Sequence, residues 1–289
     1  MAATYLAFIS LLLLSLNTPA EAINHLSSAD QPLFETGFFA VHGALADYPA
    51  SNEYRYRTLA LPYLIYRGDF LKSDDRDGTR LELLKDLRFN IDVSFGGSFP
   101  TEGQNRAREG MPNLDWTFEA GPRLLYYFYR DRDWGQVCAG LPIRASFSTD
   151  FSNTRYLGFT IAPDFEIDQY DFAGIRNLSL YMSATLNYLS EGIADYFFQI
   201  TPSEQTSQRA AYDAQAGFSG WESSIGFRYD YGAQFFLAGY RYSDFSISAN
   251  RDSYLHRTDN NWSYLVSVGF TMYESESRVP LEHVPLTPD

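Results

Sequence analysis

The chain has 289 residues with 22 basic and 36 acidic side chains, a formal charge of −14, and it carries 22 Tyr, 23 Phe and 4 Trp. No stretch concentrates Lys or Arg enough to neutralise a row of phosphates, which argues against a nucleic-acid partner. An aromatic share of 17% excludes intrinsic disorder, and the lone Cys138 excludes both an intrachain disulfide and a cysteine metal cluster.

Residues 6–16 form an apolar run too short to cross a bilayer as a helix, and Ala20-Glu21-Ala22 has the small-x-small pattern of a cleavage site. The segment predicts a secretory signal peptide over residues 1–22. Beyond it, no apolar stretch approaches the roughly 20 residues that a spanning helix needs. Any membrane span must therefore be β.

Period-two alternation then predicts strands near 33–45, 53–66, 68–72, 79–85, 88–98, 115–130, 136–148, 154–168, 176–190, 216–230, 233–247 and 262–273. In the last of these Trp262, Tyr264, Val266, Val268, Phe270 and Met272 share one face, while Ser263, Leu265, Ser267, Gly269 and Thr271 share the other. In 154–168 the oily set is Leu157, Phe159, Ile161, Pro163, Phe165 and Ile167. Runs of this length, often bounded by aromatics, match tilted strands crossing an outer membrane. A soluble sandwich would turn a Lys- and Glu-rich face to water. Here that face is Gly, Ser, Thr, Asn and isolated charges, which suits an enclosed polar lumen.

The expected fold is thus all-β, a transmembrane antiparallel barrel over 23–273 with about twelve strands; merging the short 68–72 and 79–85 would give ten. Outer loops are expected at 46–52, 73–78, 99–114, 149–153, 191–215 and 248–261, longer on the whole than the inner turns. Residues 274–289 hold three prolines, cannot continue a ladder, and read as a short periplasmic tail.

By parity, Arg88, Asp92, Glu119, Arg123, Arg144, Asp164, Glu166, Glu222, Arg228 and Arg241 face inward. Unpaired, each would cost several kcal/mol, so pairing is expected. Two readings stay open: a network that fills and fixes the barrel, or a charged constriction that filters small polar solutes. Tyr196, Phe197, Phe198 and Tyr212, in or beside the longest outer loop, either fold down as a plug or present an adhesive patch. Residues 194–200 read as a prolongation of the preceding strand. No catalytic motif, cofactor fingerprint or metal-ligand spacing occurs among the 4 His. Ser253 and His256, in the last outer loop, are the one Ser–His candidate pair, and a solvated loop histidine is the commoner case.

The stretch Ala46-Asp47-Tyr48-Pro49-Ala50-Ser51-Asn52, followed by Leu61-Pro62-Tyr63-Leu64-Ile65-Tyr66-Arg67-Gly68-Asp69, resembles the N-terminal signature of the MipA/OmpV family of MltA-interacting outer-membrane proteins. Ala194-Asp195-Tyr196-Phe197, Ala211-Tyr212-Asp213-Ala214 and Gly217 are similar to that family's large-loop pattern, and the segment 242–272 to its last hairpin. Two features differ: the tail after Tyr273, and Asp252-Ser253-Tyr254 where the family has Asp-Ser-Pro. The resemblance implies a non-enzymatic barrel in the outer membrane of a Gram-negative bacterium. Its implied partners are outer-membrane lipid and murein hydrolase and synthase proteins held on a scaffold, with porin and adhesin roles as the family's other reported forms.

Overall fold

A computed structural model describes residues 31–66, 71–74, 78–81, 84–85, 88–101, 105–131 and 133–279. The expected signal peptide over 1–22 and the tail beyond residue 279 lie outside them. The strands are β1 (Gln31–Pro32), β2 (Phe34–Ala46), β3 (Tyr54–Tyr66), β4 (Leu71–Asp74), β5 (Gly78–Leu81), β6 (Leu84–Lys85), β7 (Phe89–Ser98) and β8 (Trp116–Asp131). There follow β9 (Gly135–Thr149), β10 (Thr154–Ile161), β11 (Asp164–Gln169), β12 (Leu178–Leu189), β13 (Gly217–Tyr231), β14 (Gln234–Asp244), β15 (Asn260–Glu274) and β16 (Arg278–Val279). Among the described residues one α-helix, α1, covers Glu191–Phe198. No helix among the described residues is long and apolar enough to cross a membrane.

All ladders are antiparallel, in the order β3-β2-β15-β14-β13-β12-β10-β9-β8-β7-β6, with β11 continuing β10 between β9 and β12. The β2–β15 ladder joins the first long strand to the last. The β4–β5 hairpin packs between β3 and β7. The described residues therefore form a β-barrel of twelve strands, with β5/β6 and β10/β11 each one interrupted strand.

Burial runs opposite to that of a soluble sandwich. The oily side chains are the accessible ones, with Phe38 at 54%, Leu64 at 62%, Val266 at 48% and Met272 at 70% exposure, while inward Asp92, Ser179 and Arg228 are buried. Side chains left out of water's reach on one face and turned outward on the other are those of a sheet that meets lipid. Aromatics gather at both ends of this outer face. Tyr54 stacks on Trp262 and Trp221 packs on Tyr242 at the loop end, while Tyr126 packs against Phe89 and Phe128 at the other.

Four expectations need correction. A β-bulge between Tyr156 and Gly158 shifts the parity of β10, so Leu157 turns inward and is buried, while Tyr156 and Phe159 turn outward. Gly158 has φ +135°, and a Cβ there would fall 2.1 Å from the Ser190 hydroxyl, so the bulge depends on glycine. The strand expected over 154–168 breaks at Ala162-Pro163, where proline has no N–H for the ladder. The strand expected to reach 247 ends at Asp244, whose carboxylate accepts from the Ser246 N–H and hydroxyl and so closes a local turn. The tail also starts differently, since Arg278–Val279 pairs with Gln31–Pro32 before Pro280.

Candidate functional site

Nine of the ten inward charges sit on the lumen face, and they form four separate groups rather than one network. Arg123 on β8 reaches across β9 to two acids, Asp164 at 2.7 Å and Glu166 at 2.8 Å. Asp92, buried, registers directly opposite Arg123 on β7. Gly140 lies between these partners: a Cβ there would fall 2.4 Å from Asp164 Oδ1 and 2.6 Å from Arg123 Nε, so only glycine leaves the pair its room. Arg144 lies 3.6 Å from Glu119, donates from Nε to the Ser94 hydroxyl at 2.9 Å, and Glu119 accepts in addition from Ser146 and Thr160.

Arg241 and Glu222 approach to 3.8 Å, with Ser243 donating to Glu222. Arg228 donates from Nε to Asp230 at 3.1 Å and covers the Phe235 ring at 4.2 Å. Arg88 does not join them. It lies just before β7, exposed at the rim, where it meets the Tyr126 hydroxyl at 3.4 Å. Sequence reasoning missed Asp230 and the buried Gln136–Asp168 hydrogen bond of 2.8 Å. The same two-residue parity that points Arg228 inward would have found Asp230.

The interior is not uniformly polar. On β2, β3, β14 and β15 the inward positions include Phe39, Val41, Leu59, Leu61, Leu237 and Leu265. The strand order places this oily wall across the lumen from β8–β11 and their ion pairs. The wall was legible in the sequence as the odd-numbered set of β2 and β3, where both faces are rich in Leu, Val and Phe.

At the loop end, four loops close into a cap. Residues 47–53, 99–115, 190–216 and 245–259 bury a common core of Tyr48, Leu114, Ile193, Phe198, Ile200, Phe245 and Leu255, joined by Leu157 from β10. Phe197 and Phe198 are buried in it, and Tyr196 and Tyr212 pack against it half-buried. The expected strand prolongation over 194–200 is instead α1: Ile193, Ala194, Phe197 and Phe198 recur at helical spacing and bury one face. Ser190, just before the helix, accepts the Phe159 N–H at 2.8 Å and pins the helix start to β10.

Side chains that donate to distant backbone carbonyls lock the cap. Tyr48 donates to Leu255 O at 2.9 Å, Arg108 to Phe197 O at 3.1 Å, Ser253 to Phe198 O at 2.8 Å, and Arg209 to Ala107 O at 2.9 Å. Burial pushes the Tyr48 phenol far above its ordinary value and the Tyr196 phenol up to about 12, so both remain donors. The 99–115 and 190–216 loops spring from hairpins about a third of the way round the ring from one another, so the Arg108 and Arg209 bonds run across the outer mouth. The Ser253 hydroxyl is engaged by Phe198 O and the Leu255 N–H, and His256 Nε2 is buried without a partner. That pair has the bonding of a structural turn. Among the described residues no group of His, Cys, Asp and Glu is arranged to hold a metal ion.

Two solved structures resemble the backbone. One is described as "Bacterial polysaccharide outer membrane secretin", with TM-score 0.40, 10% identity, and coverage of 85% of this chain and 100% of the other. The second is a porin refined at 1.8 Å resolution, with TM-score 0.33, 11% identity, and coverage of 83% and 100%. Comparison with curated proteins returns no match. The family model described as MltA-interacting protein MipA matches residues 39–272, most of the chain and nearly the whole barrel. With its oily outer face, its two aromatic ends and its ring of antiparallel strands, this chain is an outer-membrane protein that belongs to the MipA family.

Proposed function

We propose that the protein is a non-enzymatic scaffold in the outer membrane of a Gram-negative cell, holding murein-synthesising or murein-remodelling enzymes at its periplasmic rim. The observation that carries this reading is the interlocked cap. A mouth crossed by bonded loops leaves the periplasmic end as the face open to partners, and the family is described by its interaction with MltA. The longest inner turn among the described residues, 170–177, exposes Asp171, Ala173, Ile175 and Arg176 there, next to the ends of β11 and β12. A photo-reactive residue at Ala173 should cross-link a murein enzyme in intact cells, and one at outer Pro112 should not. Recovery of no murein enzyme at any periplasmic position would remove the scaffold reading.

A second reading, a small-solute pore with a charged lumen, has its own support. The paired side chains of Arg123, Glu166, Glu222 and Arg241 keep 15–25% of their surface accessible. In planar bilayers a pore gives reproducible conductance steps that change when Arg123 or Arg228 is neutralised, whereas a capped scaffold is electrically silent. An adhesin would instead lose surface binding on deletion of residues 191–215 with the barrel intact.

A further inference from the structure

A cleft of about 410 Å³ opens in the cap between the 99–115 loop, the β9–β10 turn and α1. Small-molecule sites span about 300–1,000 Å³, so the space suits a small ligand. The most buried charged side chain lining it is Arg108, at 9% exposure. Its two terminal nitrogens donate to carbonyls, Phe197 O at 3.1 Å and Pro112 O at 3.5 Å, and its Nε has no partner. It forms no ion pair with any carboxylate among the described residues. Glu204 acts on it through space but makes no contact pair with it. A buried charge without a contacting counter-charge is costly, and a guanidinium is too basic to escape the cost by losing its proton. Burial does lower the Arg108 pKa, and the charge remains. An anion is the group that would offset it.

The cleft also carries carboxylates, in two chemical states. Asp150 accepts from the Ser152 and Asn153 N–H groups, and Glu204 accepts from Thr201, so both are engaged by their own turns. Asp115 and Asp195 have no hydrogen bond to their carboxylates among the described residues. Asp195 is exposed at the opening, where burial and the neighbouring carboxylates of Glu191 and Asp213 raise its pKa, an environment that favours a cation. A simple anion would meet four carboxylates here, and a simple cation would meet Arg108 and Arg155. A molecule with both charges, and a small apolar body against Leu114 and the Tyr196 ring, meets neither penalty.

We infer that this cleft binds a small zwitterion, a free amino acid or short peptide, with its carboxylate on Arg108 and its ammonium toward Asp115 and Asp195. The inference stands apart from the scaffold reading, since it concerns the outer face alone. The test is calorimetry on the processed protein in detergent micelles with glycine, dialanine and trialanine. Dialanine is also compared with its N-acetyl and C-terminal amide forms, which each lack one charge. Saturable binding of at least one zwitterion is expected, weakened at least tenfold by either blocking group.

Asp195→Asn should weaken it by a similar factor. Its carboxylate holds no other group among the described residues, so that variant should keep the fold. Arg108→Met should abolish binding, with limited proteolysis to check the cap, because Arg108 also anchors Phe197. Absence of saturable heat for all three zwitterions, equal binding of the blocked forms, or unchanged binding in Asp195→Asn would each overturn the assignment.

Discussion

The lumen and the outer cap are both buried and both rich in polar groups, yet their partners are brought together differently. In the lumen, Arg123, Asp164 and Glu166 sit on β8 and β11, either side of β9, and strand register alone sets their positions. In the cap, Tyr48, Arg108, Arg209 and Ser253 each donate to a carbonyl 55 or more residues away, from loops that no ladder aligns. The first interior is charge matched against charge. The second is aromatic packing held by side-chain-to-backbone bonds. The two should therefore fail independently, and each failure should have its own signature.

The largest effect is expected in the lumen. Arg123→Met leaves Asp164 buried, and Glu166 partly buried, without their cation, and breaking a buried pair on one side costs about 3–5 kcal/mol. The temperature at which the folded band disappears on a detergent gel should fall clearly, while proteolytic protection of residues 191–215 before melting stays intact. Phe198→Ala should give the reverse pattern. Phe198 is 1% exposed in the cap core, and such truncations cost about 3–5 kcal/mol locally. The loops should become protease-sensitive with the barrel's gel mobility unchanged. If Phe198→Ala also melts the barrel, the independence argued above is wrong.

A finer test compares two glycines on inward positions. Gly140→Ala forces a methyl against Asp164 and Arg123, with an expected cost of roughly 1–3 kcal/mol. Gly226→Ala meets only Ala238 O at 3.6 Å and should be close to neutral. The same gel-melting temperature reads both, and equal effects would show that the Arg123 pair has slack.

This contrast also explains what the sequence disclosed. Alternation is a local property, so the strands and a count near twelve could be read directly. It failed where a single residue breaks the period. Gly158 adds the bulge that turns Leu157 into the cap, and the strand interruption at Pro163 was masked because Phe165 and Ile167 resume the alternation. Arg88 fell outside the lumen because parity says nothing about depth, and its position is the rim. The cap was illegible for a different reason. Its loops have no common period, and α1 is a helix because its buried face finds Tyr48, Leu114 and Leu255 from three other loops. The spacing of Ile193, Ala194, Phe197 and Phe198 was the available signal, and reading it as strand ignored its helical repeat.

The smallest predicted effect separates the two regions by pH. In the cap, His256 has its pKa lowered, chiefly by burial and also by Arg251, against the opposing pull of Asp259 and the Phe245 carbonyl. The folded cap thus holds the neutral ring. As pH falls through the ordinary histidine value of about 6.5, the unfolded loop takes a proton before the folded one does, and stability is lost. Glu204 is next: burial raises its pKa, but bonds from Thr201 and the charges of Arg108 and Arg209 outweigh that and leave it below its ordinary value of 4.5, so its contribution is lost only in stronger acid. Between pH 7 and 5, protease cleavage within 245–259 should therefore rise modestly. His256→Gln should flatten that rise while leaving the response below pH 4.5. The gel-melting temperature of the barrel should not follow the His256 step, and a barrel that melts in parallel with it would tie the two regions into one cooperative unit.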